Sequence, residues 1–116
     1  MSVKRVEKPW GYEIIYAVTP QYVGKILFIR KGHQLSLQFH KKKDETIYIQ
    51  TGHLKFLTAL NQNSPLKELE LKPGDSFHIP PGVVHRMIAL EDTHVLEVST
   101  PELDDVVRLQ DQYGRT

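Results

Sequence analysis

Cysteine is absent from the 116 residues, which removes disulfides and thiolate ligands together and leaves His, Asp, Glu and Gln as the side chains able to hold a metal. Long apolar runs are also missing. No stretch approaches the roughly 20 residues of a membrane span, and the start Met1-Ser2-Val3-Lys4-Arg5-Val6 has no apolar signal core. A soluble, cytoplasmic protein is the expectation. Charge of one sign is not in excess either: 15 Lys and Arg face 14 Asp and Glu, for a net charge of +1. That balance argues against a nucleic-acid groove or a polybasic membrane surface, so neither partner is expected. The short run Lys41-Lys42-Lys43 reads as a solvated turn. Helical periodicity is scarce as well. Only Pro101 to Gln110 spaces its apolar residues in a helical manner, which predicts a short terminal helix or turn.

What is present is β-strand patterning. Apolar or alternating runs span Tyr12 to Val18, Gly24 to Ile29, Leu35 to Phe39, Thr46 to Gln50 and Leu54 to Leu60, then Lys67 to Leu71, Ser76 to Ile79, His85 to Ala89 and His94 to Ser99. Turn chemistry separates them, including Lys72-Pro73-Gly74-Asp75, where Pro presets φ and Gly accepts a positive one. Such regular punctuation predicts an all-β sandwich or barrel. The length fits one domain over 1–116: an amino-terminal arm with strands over 1–23, a barrel over 24–100 and a carboxy-terminal segment over 101–116. The loop Asn61 to Pro65 is the most flexible interior candidate.

One spacing carries chemistry. Gln38 and His40 share a face of one strand, and a short turn can return the chain to bring Glu45 beside them. His85, behind the Pro80-Pro81-Gly82 corner, is placed to supply a fourth ligand from a distant strand. One amide oxygen, two imidazoles and a carboxylate suit a divalent first-row ion such as Zn, Mn, Co, Ni or Fe. The remaining histidines, His33, His53, His78 and His94, have no partner at ligand spacing and read as structural. The aromatics read first as packing. Trp10 is either a lid over the barrel mouth or, better, part of a packed amino-terminal arm.

The layout Gly32-x5-Gln38-x-His40-x4-Glu45-x6-Gly52 followed by Gly74-x5-Pro80-x-Gly82-x2-His85 resembles the two motifs of the cupin superfamily, which implies a jelly-roll barrel. Two positions depart from the superfamily pattern: Gln38 replaces the first histidine, and Ala89 replaces a final asparagine. The flanks narrow the resemblance. Lys8-Pro9-Trp10-Gly11-Tyr12-Glu13, Ser36-x-Gln38-x-His40, Pro80-Pro81-Gly82-x2-His85-Arg86 and Asp104-Asp105-Val106-Val107-Arg108-Leu109-x-Asp111-x-Tyr113-Gly114-Arg115 are similar to the isomerase domain of bifunctional mannose-6-phosphate isomerase/mannose-1-phosphate guanylyltransferases. That branch carries a glutamine in its metal-binding strand, so Gln38 fits it. Guanylyl transfer is not expected, because the chain has no Gly-rich nucleotide-binding start followed by an α/β domain.

The resemblance implies a metal-dependent aldose-ketose isomerase working on a phosphosugar through an enediol. The metal set is Gln38, His40, Glu45 and His85. Glu97 is the candidate base, since a carboxylate facing inward among Val95, Leu96 and Val98 has a raised pKa; the alternative is a pairing with Lys25 or Arg86. Lys25 and Arg86 are the other candidate catalytic groups. Arg108 and Arg115 are candidate phosphate binders, against a plain ion pair with Asp104, Asp105 or Asp111. Ser36 has the parity to orient a ligand or a substrate hydroxyl. Pairing through sheet edges predicts a homodimer. Two other functions fit the same barrel: a non-catalytic sugar- or metabolite-binding protein, and a metal-dependent dioxygenase of small organic acids.

Overall fold

A computed structural model describes residues 3–115, and every regular element among them is a β-strand. In chain order these are β1 (Lys4–Lys8), β2 (Gly11–Val18), β3 (Val23–Ile29), β4 (Leu37–Phe39), β5 (Glu45–Thr51), β6 (Leu54–Ala59), β7 (Lys67–Leu71), β8 (Ser76–Ile79), β9 (Val84–Ala89), β10 (Thr93–Ser99) and β11 (Val107–Gln110). They form two antiparallel sheets, one in the order β1-β2-β3-β10-β5-β8 and the other in the order β11-β4-β9-β6-β7. The jelly-roll barrel expected from the sequence is the observed architecture.

Turns set the registers. Lys72-Pro73-Gly74-Asp75 closes through Asp75 N–H donating to the Lys72 carbonyl at 2.9 Å, with Gly74 at φ 94°, a conformation glycine adopts without steric cost. Gly52 has φ 97°, and a Cβ there would lie 2.4 Å from the Asp92 carbonyl oxygen, so no larger residue fits between β5 and β6. The loop at Asn61 is ordered by its own side chain, whose Oδ1 accepts from Asn63 N at 2.8 Å and Ser64 Oγ at 3.1 Å.

The strands grade from polar to apolar along their inner faces, and this gradient places the site. Residues paired across strands share a face. Lys25 pairs with Glu97, and Glu97 with Ile47; two residues on, Leu27 pairs with Val95, and Val95 with Ile49. In the opposite sheet Thr58 pairs with His85, Phe56 with Met87 and Leu54 with Ala89. The apolar ends of both sheets meet in a core where Ile29, Ile47, Ile49, Leu54, Phe56 and Val95 are fully buried. Each contributes about 1.5–3 kcal/mol relative to exposure. The polar ends meet at the other side, around a cavity of about 320 Å³.

Two expectations are refined. The amino-terminal arm with strands expected over 1–23 begins its pairing ahead of the first apolar run at Tyr12: residues 4–8 form β1, which pairs along its length with β2 and lines the cavity with Lys4, Val6 and Lys8. The short helix or turn expected over Pro101 to Gln110 is a turn at Leu103 and Asp104 followed by β11, antiparallel to β4, with Val107 opposite Phe39 and Arg108 opposite Gln38. The apolar spacing of Val106, Val107 and Leu109 fits either period over so short a run. The open edge of β4 decides it by offering backbone partners. Trp10 is 3% exposed and joins the main core, the packed-arm alternative, while also bounding the cavity.

Candidate metal centre and cavity

Ser36, Gln38 and His40 all line the cavity, as their shared parity predicts. His85 lies on β9 directly across from Gln38, and Glu45 opens β5. His40 Nδ1 contacts the Asp105 carbonyl, and His85 Nδ1 the Val83 carbonyl at 3.1 Å. A carbonyl only accepts, so each Nδ1 carries a proton and Nε2 is the nitrogen each ring offers to the site. Those two nitrogens turn towards one carboxylate: His40 Nε2 is 3.3 Å from Glu45 Oε2, and His85 Nε2 is 3.6 Å from Glu45 Oε1.

His40 Nε2 and His85 Nε2 are buried without a hydrogen-bond partner, although buried polar atoms are costly to leave so. A cation resolves this. The donor atoms of His40, Glu45 and His85 lie within 4.8 Å of one another, and two ligands at about 2.1 Å from a tetrahedral ion stand about 3.4 Å apart. Two imidazoles and a carboxylate, with Gln38 beside them, therefore fit a divalent first-row metal. Gln38 Oε1 accepts from Ser36 Oγ at 2.9 Å, which orients the amide and leaves its second lone pair for an ion. Burial pushes His85 down to about 4, the neutral form a ligand requires. Burial alone would raise Glu45, but contact with His40 and the Lys43 charge outweigh it and hold the carboxyl at about 2.

Next to this group stands a second one. Lys43 Nζ lies 3.0 Å from Glu45 Oε2 and 3.1 Å from Glu97 Oε2, all three side chains being buried. Burial works against the ammonium, yet the two carboxylates raise its pKa overall. Glu97 is shifted upward, first by burial and then by the Glu45 charge, with Lys43 and Lys25 opposing. The upward direction is that expected from sequence, but the partner is Lys43. Lys25 faces the cavity in register with Glu97, while its Nζ turns to Glu13 at 3.5 Å.

The arginines separate. Arg108 lines the cavity opposite Gln38. Arg115 also lines it, with its guanidinium forked onto Asp111 at 2.9 and 3.0 Å, the ion pair weighed as its alternative. Arg86 is not among the cavity-lining residues: it donates to the carbonyls of Leu35 and Gln110, both at 3.0 Å. It follows His85 by one residue, so strand alternation points it to the opposite face. The structural histidines have partners as expected, His33 with Tyr113, His53 with Glu70, His78 with Asp44 and His94 with Thr51.

Sequence reasoning missed Lys43. The signal was there, since stepping back by two from Ile49 through Ile47 and Glu45 reaches Lys43, and period-two alternation puts it inside with them. Its neighbours Lys41 and Lys42 are exposed, which hid it within a charged run.

A family model described as a cupin domain matches residues 26–100. The chain is 30% identical over 97% of its length to the xanthan biosynthesis protein XanB of Xanthomonas campestris pv. campestris, of which it covers 24%. It is 32% identical over 97% of its length to the mannose-1-phosphate guanylyltransferase ManC of Salmonella typhimurium, of which it covers 23%. It thus spans about a quarter of the length of these curated relatives. Among solved structures, KdgF from Halomonas sp. superposes with a TM-score of 0.75 at 24% identity, covering 90% of this chain and 89% of that one. The capsular polysaccharide assembling protein CapF of Staphylococcus aureus superposes with a TM-score of 0.78 at 17% identity, covering 95% and 33%. At those identities the likeness concerns the fold.

Proposed function

The chain is a member of the cupin family, and from that premise we propose that it is a metal-dependent sugar-phosphate isomerase interconverting an aldose and a ketose of the mannose 6-phosphate type. The observation that carries this reading is the convergence of two unpartnered buried nitrogens, His40 Nε2 and His85 Nε2, on the buried Glu45 carboxylate, beside a second buried carboxylate at a cavity of about 320 Å³, which admits a small phosphosugar. The relationship to XanB and ManC supports a sugar-phosphate substrate.

A divalent ion held by His40, Glu45, His85 and Gln38 would supply Lewis-acid stabilisation of the enediolate oxygens. The remaining work falls to the chain. Glu97, kept basic enough by burial, takes the proton from the carbon next to the carbonyl and returns it to the former carbonyl carbon, while the hydroxyl proton passes from one enediol oxygen to the other. The Lys43 ammonium, fixed between Glu97 and Glu45, holds the two carboxylates apart and offsets their repulsion. Arg108 and Lys25 face the space where a phosphate would sit, and Asp111 holds Arg115 at the same wall. Ser36 orients Gln38.

One observation favours a second reading, a sugar-binding protein without turnover: Glu97 is already engaged by Lys43 at 3.1 Å. Conversion of a phosphosugar panel by zinc-, manganese- or cobalt-loaded protein, followed by NMR, separates the two. Turnover of mannose 6-phosphate to fructose 6-phosphate is expected; saturable binding of the panel without conversion replaces the isomerase reading by the binding one.

The same reading includes a homodimer, in one domain of 1–116. On the outer face of the six-stranded sheet, Ile14, Ile26, Leu96 and Tyr48 stand in one register row, flanked by exposed Tyr16 and Val98. Four strands and about five residues of length give roughly 300 Å² of flat apolar face, a scale at which open patches serve as interaction sites. A twofold operator lays apolar on apolar, which makes a second copy the fitting occupant.

A further inference from the structure

We infer that Asp105 is a positioning residue for the metal group, holding the turn that sets His40 against Glu45; this rests on the metal reading above. β4 ends at Phe39 and β5 begins at Glu45, so the two ligands are joined by a turn, and a turn holds ligands in place only when it is itself tied down. Asp105 ties it at both levels. Its carboxylate accepts three successive backbone N–H groups, from Lys41 at 3.0 Å, Lys42 at 2.7 Å and Lys43 at 2.9 Å. Its own backbone carbonyl takes the His40 Nδ1 proton. One residue, more than 60 positions along the chain, therefore sets the course of the turn and the tautomer and plane of the imidazole that the turn presents.

Three consecutive amides around one carboxylate make an anion-binding nest. The bond to His40 also fixes the plane of the ring. The far end of the turn is pinned separately, by Asp44 N to Thr100 Oγ1 and Thr100 N to the Asp44 carbonyl, both at 3.0 Å. Removing the Asp105 carboxylate thus frees only the stretch between the two ligands. Because Asp105 belongs to the segment that leads into β11, the metal group is coupled to the docking of the carboxy-terminal segment.

The test is a cobalt(II) titration of the full chain, read by chelator competition and by the visible d–d absorption, with hydrogen exchange of the metal-free proteins alongside. Asp105→Ala is expected to weaken cobalt affinity about 10- to 100-fold, to shift the visible bands, and to speed exchange at the Lys41, Lys42 and Lys43 amides. Asp105→Asn, which keeps one acceptor oxygen, should lose less. Asp75→Ala is the control: it removes a carboxylate from a turn amide, Lys72 N at 2.8 Å, where no ligand is carried, and should leave cobalt affinity unchanged. Cobalt affinity within twofold of wild type and an unaltered spectrum in Asp105→Ala overturn the inference while leaving the metal reading intact. If that variant does not fold, wild-type affinity in Asp105→Asn together with lost amide protection overturns it instead. Wild-type protein that takes up no cobalt overturns the metal reading, and this inference with it.

Discussion

At the scale of single residues, the site is a compact set of opposed charges, and each member's role follows from what it touches. Glu97→Gln preserves shape and removes the proposed base, so turnover should fall about 10²- to 10⁴-fold with metal content unchanged; steady-state kinetics and elemental analysis check this. Lys43→Met is expected to behave differently. It leaves Glu97 and Glu45 facing each other in a buried space, and breaking a buried pair from one side costs about 3–5 kcal/mol. Pairing it with Glu97→Gln should restore about 1–2 kcal/mol of that in denaturant unfolding; purely additive losses would contradict the coupling drawn from the 3.1 Å contact. Much of this set was legible in the chain. Gln38, His40 and Ser36 follow strand alternation, and Glu97 faces inward with a raised pKa, as its apolar flanks imply. Lys43 was hidden because charge runs are commonly solvated, and Arg86 was misplaced because its motif context outweighed the parity that turns it away from His85.

At the scale of elements, the carboxy-terminal segment closes one wall of the site, and its anchors are electrostatic. Asp111 accepts from both the side chain and the backbone of Arg115; that contact lowers its carboxyl to about 2 from an ordinary 3.8. The sign follows from linkage: a pKa depressed in the folded state stabilises docking above 3.8, and this contribution is lost as pH falls towards 2. An NMR titration of the Asp111 carboxyl should give a midpoint near 2, and one near 3.8 would mean the anchor does not form in solution. Arg86 tethers the same segment through the Gln110 carbonyl. Arg86→Met should speed amide exchange across β11 with little change in KM, whereas a KM raised more than tenfold without faster exchange would return Arg86 to the candidate catalytic groups. That residues 107–110 form a strand was not legible, because a four-residue segment takes its conformation from the edge it meets. The bounds of β1 within the expected amino-terminal arm were not legible for a related reason: its polar sequence is held by pairing with β2, which no local pattern records.

At the scale of the whole molecule, two sheets that grade in register from isoleucine and phenylalanine to lysine, glutamate and histidine produce a packed end and a polar end. The strand pattern conveyed the barrel, because turn residues recur between apolar runs; which end would carry the charge depended on registers between strands far apart in sequence. The outer face bears on assembly. Light scattering should give twice the chain mass, and Leu96→Lys should halve it while leaving the circular dichroism unchanged; a dimer that survives this substitution would place the contact elsewhere, at the sheet edges first considered. The central claim, that this cupin moves a proton on a phosphosugar, is tested most directly by incubating metal-loaded protein with mannose 6-phosphate in deuterated water and following the C2 proton by NMR. Loss of that signal with appearance of fructose 6-phosphate, abolished in Glu97→Gln, is the predicted result; an undiminished C2 signal with metal demonstrably bound would contradict it.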